Sequence, residues 1–114
     1  MALPEWRCAA VDLPPGRTAT LRLRRGDRDV DGFVINHGGR YRAYVNRCAH
    51  VGTPLDLWPN EFLDETGRTI VCATHGALYD PDDGVCTAGP CVGASLHALS
   101  VRQDGDDLVV TWAP

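Results

Sequence analysis

Two short stretches, Cys48-Ala49-His50 and Cys72-Ala73-Thr74-His75, stand twenty-one residues apart in this chain, and together they decide its fold. Each stretch pairs a cysteine with a histidine across a spacer of one or two residues. Thiolate and imidazole bind borderline-soft metals at neutral pH, and a short spacer lets one loop present both. We therefore expect one metal centre with four ligands: Cys48, His50, Cys72 and His75.

Four ligands of this kind suit two different centres. A single zinc ion takes all four tetrahedrally, as in structural zinc-binding modules. A two-iron, two-sulfide cluster takes both cysteines on one iron and both histidines on the other. The ligand types alone leave both alternatives open.

The residues that follow the two pairs favour the cluster. Gly52 lies two residues after His50, Gly76 follows His75 directly, Tyr79 comes soon after, and Gly89-Pro90 forms a third tight loop. In this order the chain resembles the Rieske iron-sulfur family over about residues 46–92. The resemblance implies one [2Fe-2S] cluster per chain, held by the four ligands named above. It also implies a soluble Rieske-type ferredoxin, which carries one electron from a reductase to an oxygenase or another redox enzyme.

Departures from the family pattern predict a low reduction potential. High-potential members carry a disulfide between the ligand loops, and the corresponding residues here are Thr53 and Thr74. Ala77 stands where those members place a serine that donates to a bridging sulfide, so this donor to the reduced cluster is lost. Tyr79 matches the family's tyrosine that donates to a cysteine sulfur, which partly offsets the loss. We expect a potential near the lower end of the roughly −150 to +300 mV Rieske range.

Other functions for the same residues remain open. The chain can be a small Rieske subunit of a reductase or a redox-sensing module, and a structural zinc-binding module is the alternative from another class. We expect redox partners to dock around His50, His75 and Gly89-Pro90, with Trp58 and Phe62 as contacts. The segment 57–67 is longer than in most family members, and its aromatic residues can instead pack beneath the loop.

Length and charge exclude several functions. With 114 residues we expect one domain, 1–114, with a cluster-binding subdomain at about 46–92 and no room for a catalytic domain. Only His37 and His97 remain besides the ligand histidines, too few for an oxygenase iron site, so we expect an electron carrier and not an enzyme. The net charge is −4, and the run of basic residues around Arg22–Arg25 alternates with leucine, so nucleic acid is not an expected partner. Without a signal peptide or an apolar span of ~20 residues, we expect a cytoplasmic protein with no membrane contact.

Three cysteines are not used as ligands in this interpretation. Cys86 and Cys91 flank Gly89-Pro90 and can form a small disulfide, although a reducing cytoplasm favours free thiols. Their use as alternative cluster ligands is disfavoured because the histidines complete the set. Cys8 stands among apolar residues and is expected to be a small buried hydrophobe.

Period-two alternation predicts an all-β fold. Leu21 and Leu23 alternate with Arg22 and Arg24, and residues 40–46 alternate in the same way. Strands 30–36 and 40–46 flank a turn at His37-Gly38-Gly39, and strands 97–102 and 108–112 flank one at Asp104-Gly105-Asp106. The resemblance implies a Rieske-like antiparallel β sandwich scaffold that carries the small cluster-binding subdomain. We expect His37 to be an exposed turn residue and His97 a partly buried one, with no ligand role for either.

Overall fold

The computed structural model describes residues 5–47, 55, 62–63, 69–72, 76–89 and 91–112. These residues form nine strands: β1 (Glu5–Ala9), β2 (Thr18–Arg25), β3 (Arg28–His37), β4 (Arg40–Val45), β5 (Ile70–Val71), β6 (Leu78–Tyr79), β7 (Cys86–Ala88), β8 (Ala98–Asp104) and β9 (Asp107–Thr111). The helical structure in these ranges is one 3-10 turn, Ala10–Asp12. None of the described residues belongs to a helix of the length and hydropathy that crossing a bilayer requires.

The strands form two antiparallel sheets. The larger has the order β1-β9-β8-β4-β3-β2, and the smaller has the order β5-β6-β7. The outermost strands of the larger sheet, β1 and β2, contact each other, so this sheet curls back on itself. The all-β antiparallel architecture expected from the sequence is confirmed, with the ligand-bearing part of the chain inserted between β4 and β8.

Both predicted hairpins are present, with tighter turns than expected. His37 pairs with Arg40 as the last position of β3 against β4. Asp104 likewise pairs with Asp107 as the last position of β8 against β9. Each connection is therefore a two-residue hairpin loop, and His37 and Asp104 belong to strands.

The first strand, β1, was not predicted from the sequence. It pairs with β9 in antiparallel register, from Glu5 opposite Thr111 to Ala9 opposite Asp107. Trp6 and Cys8 point towards the core, whereas Arg7 points outwards. Five residues are too few for a clear alternation signal, so tertiary pairing decides this strand. Cys8 is half-buried and not fully buried as expected, and its partial burial raises the pKa of the thiol.

Strand β3 separates two apolar cores. Phe33 and Ile35 face one core and Val34 faces the other, and all three are fully buried. The second core lies inside the curled sheet and includes Leu21, Leu23, Leu99 and Leu108. The first core joins the scaffold to the ligand-bearing part of the chain, with these further members: Tyr44, Leu55, Phe62, Ile70, Cys72, Ala77, Tyr79, Cys86 and Leu96. The side chains on the two faces of β3 pack into different cores, so the strand is buried on both faces.

Phe62 is a core residue. Its side chain has 0% exposure, and its ring stacks on Phe33 with centroids 4.1 Å apart and 11° between the planes. The hypothesis that Phe62 contacts a partner is therefore wrong, and the alternative of packing beneath the loop is correct for this residue. Trp58 lies outside the described residues.

The two remaining histidines differ from expectation. His37 is half-buried, with Nδ1 3.2 Å from Oδ1 of Asp82, because the turn after β6 covers the end of β3. His97 is exposed, since its neighbour Leu96 occupies the inward position. Within the part of the chain that the structure describes, no three potential ligand side chains come together as a metal site. The prediction that neither histidine is a ligand stays a prediction.

Candidate metal centre

Of the four expected ligands, Cys72 lies among the described residues. It is fully buried and follows β5 directly. Cys48, His50 and His75 lie outside the described ranges. The assignment of all four residues as ligands stays a prediction. The flanking residues nevertheless show how the three loops are held.

Two backbone hydrogen bonds close the base of the second ligand loop. The amide of Gly76 donates to the Cys72 carbonyl at 2.8 Å, and the amide of Cys72 donates to the Ala77 carbonyl at 2.9 Å. Gly76 follows His75 directly in the chain. Cys72 and Gly76 are therefore fixed a short distance apart, between the end of β5 and the start of β6.

A side chain closes the base of the first ligand loop. Oδ1 of Asn46 accepts a hydrogen bond from the amide of Leu55 at 2.8 Å. The amide of Asn46 donates to the carbonyl of Asp31 at 2.8 Å, and Leu55 is fully buried in the first core. Cys48 and His50 therefore lie between two anchored positions. Sequence reasoning missed Asn46, because a lone polar residue after a strand gives no signal beyond the end of that strand.

The third loop lies against the second. A Cβ atom added at Gly89 would be 2.9 Å from the Cα of Ala77, closer than unstrained atoms approach, and the φ of Gly89 is +101°. Only glycine suits this backbone position. Ala77 is itself fully buried, so the contact encloses the start of β6. Pro90 lies outside the described residues.

Tyr79 and two cysteines form a polar chain beside these loops. The Tyr79 hydroxyl lies 3.3 Å from Sγ of Cys91, and Cys91 Sγ donates to Cys86 Sγ at 3.1 Å. Cys86 Sγ donates in turn to the carbonyl of Ala88 at 3.2 Å. Both cysteines are free thiols, as expected. Burial raises the pKa of the Cys86 thiol, and its hydrogen bond with Cys91 adds to the effect.

Three contacts attach the turn after β6 to the scaffold. The Tyr44 hydroxyl donates to the Pro81 carbonyl at 2.7 Å, and Nε of Arg42 donates to the Asp82 carbonyl at 3.1 Å. The His37–Asp82 pair is the third. Burial of Tyr44 raises the pKa of its hydroxyl from 10.0 to about 12. The sequence did not predict that Tyr44 anchors this turn, because the alternation in β4 assigns Tyr44 to the solvent-exposed face.

The donor set fits a [2Fe-2S] cluster. Cys72 offers a sulfur shielded from water, and the two loops anchored at Asn46 and Cys72 each carry one cysteine and one histidine in the sequence. Two thiolates and two imidazoles are the ligands of a Rieske cluster.

The profile of the Rieske [2Fe-2S] domain family matches residues 5–111. This chain therefore belongs to the Rieske [2Fe-2S] domain family, and its cofactor is a [2Fe-2S] cluster. In the curated set, the cytochrome b6-f complex iron-sulfur subunit of Chlorobaculum tepidum is 33% identical over 104 residues. That match covers 91% of this chain and 51% of the relative, so the chain spans about half the length of this curated relative.

Solved structures share the fold. The ferredoxin of carbazole 1,9a-dioxygenase from Nocardioides aromaticivorans IC177 is 25% identical, with a TM-score of 0.71, over 96% of this chain and 98% of that chain. A chain in a carbazole-bound complex of the oxygenase and ferredoxin of carbazole 1,9a-dioxygenase has a TM-score of 0.77 and 20% identity. This match covers 95% of this chain and 28% of that chain. The Rieske-like antiparallel architecture is thereby confirmed.

Proposed function

We propose that this chain is a Rieske-type ferredoxin, which accepts one electron from a reductase and passes it to an oxygenase or another redox enzyme. The observation that carries the proposal is the match to a dioxygenase ferredoxin over nearly the whole of both chains. The chain would turn over no substrate of its own, and its cytoplasmic location stays a prediction.

In this proposal Cys48 and Cys72 hold one iron, and His50 and His75 hold the other. The closed loop bases at Asn46 and Cys72 support the assignment, because they anchor described residues that border the ligand positions in the chain. A cluster of this kind supplies reversible one-electron chemistry. The Cys72 side chain is fully buried, so this ligand would be shielded from water.

A redox partner would dock next to the third loop, around His50, His75 and Gly89-Pro90. Val92 follows this loop and is 66% exposed, an apolar contact that a partner would cover. We expect Val92→Asp to slow electron transfer to the native acceptor. Val11→Asp is the matched control, because Val11 is 84% exposed on the 3-10 turn after β1. Equal rates for both variants would place the docking surface elsewhere.

Spectroscopy tests the proposal directly. The purified protein should be red-brown, give a Rieske-type electron paramagnetic resonance signal on dithionite reduction, and return one electron per chain to cytochrome c. Cys72→Ser should abolish the signal, whereas Cys8→Ser should keep it, since Cys8 packs in the second core. A colourless protein with one zinc per chain would instead establish the structural zinc-binding module. A signal without release of an electron to the acceptor would favour a sensing role.

A further inference from the structure

Cys86 and Cys91 are two free thiols placed side by side outside the expected ligand set. Their sulfur atoms are 3.1 Å apart, and Cys91 donates to Cys86. Cys86 is an inward residue of β7 and Cys91 lies beyond the third loop. The cluster needs neither of them, since the four expected ligands already complete its coordination.

The backbone holds this pair in place. The amide of Cys86 donates to the Ala94 carbonyl at 2.7 Å, and the amide of Ala94 donates to the Cys91 carbonyl at 2.9 Å. The amide of Gly93 also donates to the Cys86 carbonyl, at 3.2 Å. Both cysteines are thus fixed to the same short segment. A covalent bond would require the two sulfur atoms to approach by about 1 Å, which side-chain rotation supplies.

The two thiols differ in access to solvent. Cys86 is 2% exposed, whereas Cys91 is half-buried and reachable. An external reagent therefore meets Cys91 first. Once Cys91 has reacted, the Cys86 sulfur is placed to attack Sγ of Cys91.

We propose that Cys86 and Cys91 form a reversible disulfide by exchange with a small disulfide such as oxidised glutathione. The Cys91 thiolate attacks one sulfur of the reagent, which breaks its S–S bond and releases one glutathione thiol. The Cys86 thiolate then attacks Sγ of the mixed disulfide and releases the second. One protein dithiol and one glutathione disulfide thereby become one protein disulfide and two thiols, and the two thiol protons leave with the glutathione.

The disulfide would restrain the third loop against the second. Gly89 lies between the two cysteines in the chain, and its backbone contacts Ala77. Oxidation would also remove the S–H that Cys91 donates to Cys86, while the Tyr79 hydroxyl can still donate to Cys91 Sγ. The thiol pair would in this way report the thiol-disulfide balance of its surroundings at the edge of the cluster site. The proposal does not depend on which redox partner the protein serves.

Peptide mass spectrometry on the intact holoprotein tests the proposal. Cleavage before aspartate releases residues 83–103, which contain Cys86 and Cys91 and no other cysteine. After incubation with oxidised glutathione and alkylation, this peptide should carry no alkyl group and weigh two hydrogens less than the dithiol form. Excess reduced glutathione should return it to the doubly alkylated form, and the visible absorption of the cluster should persist throughout.

Three results would overturn the proposal: full alkylation of both cysteines after oxidation, a glutathione adduct that persists on Cys91, or disulfide formation only in step with loss of the cluster. Cys86→Ser should trap the glutathione adduct on Cys91, and Cys91→Ser should leave the buried Cys86 unmodified. Cys8→Ser is the control, with unchanged oxidation of the 83–103 peptide. The measurement on the unmodified protein decides the matter even if a variant fails to fold.

Discussion

The rings of Phe33 and Phe62 stack 4.1 Å apart between their centroids, and this contact joins the six-stranded sheet to the segment between the two ligand loops. Both side chains are fully buried. We expect Phe62→Ala to lower the free energy of unfolding by about 3–5 kcal/mol, because it removes the ring and leaves a cavity. Thermal unfolding followed by circular dichroism measures the loss. Val92→Ala should change stability by less than about 0.5 kcal/mol, as expected for an exposed side chain. An unchanged stability for Phe62→Ala, together with slower electron transfer, would return Phe62 to the docking surface.

Gly84 lies beneath the ring of Tyr44. A Cβ atom at this position would be 2.7 Å from Cε1 of Tyr44, and the φ of Gly84 is +75°. Gly84→Ala should therefore destabilise the protein through both backbone strain and overpacking, by about 2–4 kcal/mol in total. Gly105→Ala is the matched control, with a φ of +61° and open space around the added methyl, and should cost about 1 kcal/mol. Equal losses for the two variants would show that the Tyr44 ring moves aside freely.

Tyr44 predicts a loss of stability at alkaline pH. Burial raises the pKa of its hydroxyl from 10.0 to about 12, so between these values the unfolded chain releases the phenolic proton and the folded chain retains it. The unfolded state then binds fewer protons, and the stability falls as the pH rises through this window. The stabilisation is fully present below pH 10. Urea unfolding at a series of pH values measures the slope, which should become shallower in Tyr44→Phe. A parallel slope in that variant would assign the effect to other groups.

Asn46 closes the base of the first ligand loop through the amide of Leu55. In Asn46→Ala this amide loses its acceptor in a partly buried position, which should cost about 1–3 kcal/mol. The rate at which the cluster absorption disappears on heating should rise accordingly. Asn46→Asp keeps an accepting oxygen and should retain most of the stability. Faster loss in the aspartate variant than in the alanine variant would show that the side-chain charge, and not the acceptor, matters here.

Ala77 predicts the direction of a change in reduction potential. It is fully buried where high-potential relatives carry a serine, so Ala77→Ser should restore a donor and raise the potential. Protein film voltammetry measures the shift against the unmodified protein, whose potential we expect near the lower end of the roughly −150 to +300 mV Rieske range. Ala77→Gly removes the methyl group without adding a donor and should leave the potential nearly unchanged. A similar rise in both variants would indicate solvent entry in place of hydrogen bonding.

The sequence predicted the strands that show one buried and one exposed face. Leu21 and Leu23 of β2 are buried and Arg22 and Arg24 are exposed, because that strand faces water on one side. The burial of Tyr44 was not predicted, because a tyrosine that alternates with arginines is typical of an exposed face. In the structure β4 is covered on both faces. Alternation within one strand carries no information about residues later in the chain that pack on its second face.

The candidate site was predictable to a different degree. Ligand spacing and the Gly-Pro loop are local signals, so the family was evident from residues 46–92 alone, and the family profile confirms it. The contacts that position the loops are not local: His37 with Asp82, Asn46 with Leu55, and Tyr79 with Cys91 join residues 9 to 45 positions apart. Such pairs depend on the three-dimensional arrangement, and the sequence offered no means to anticipate them.

The contact between β1 and β2 brings two edge strands together. These two strands bound the six-stranded sheet, and they carry outward charges at Arg7, Arg22 and Arg24. Exposed sheet edges invite aggregation, and charged side chains oppose it. Strand addition to this sheet is therefore disfavoured. In the proposed ferredoxin role we expect recognition to depend on side chains around the ligand loops, which suits an encounter that has to end after each electron.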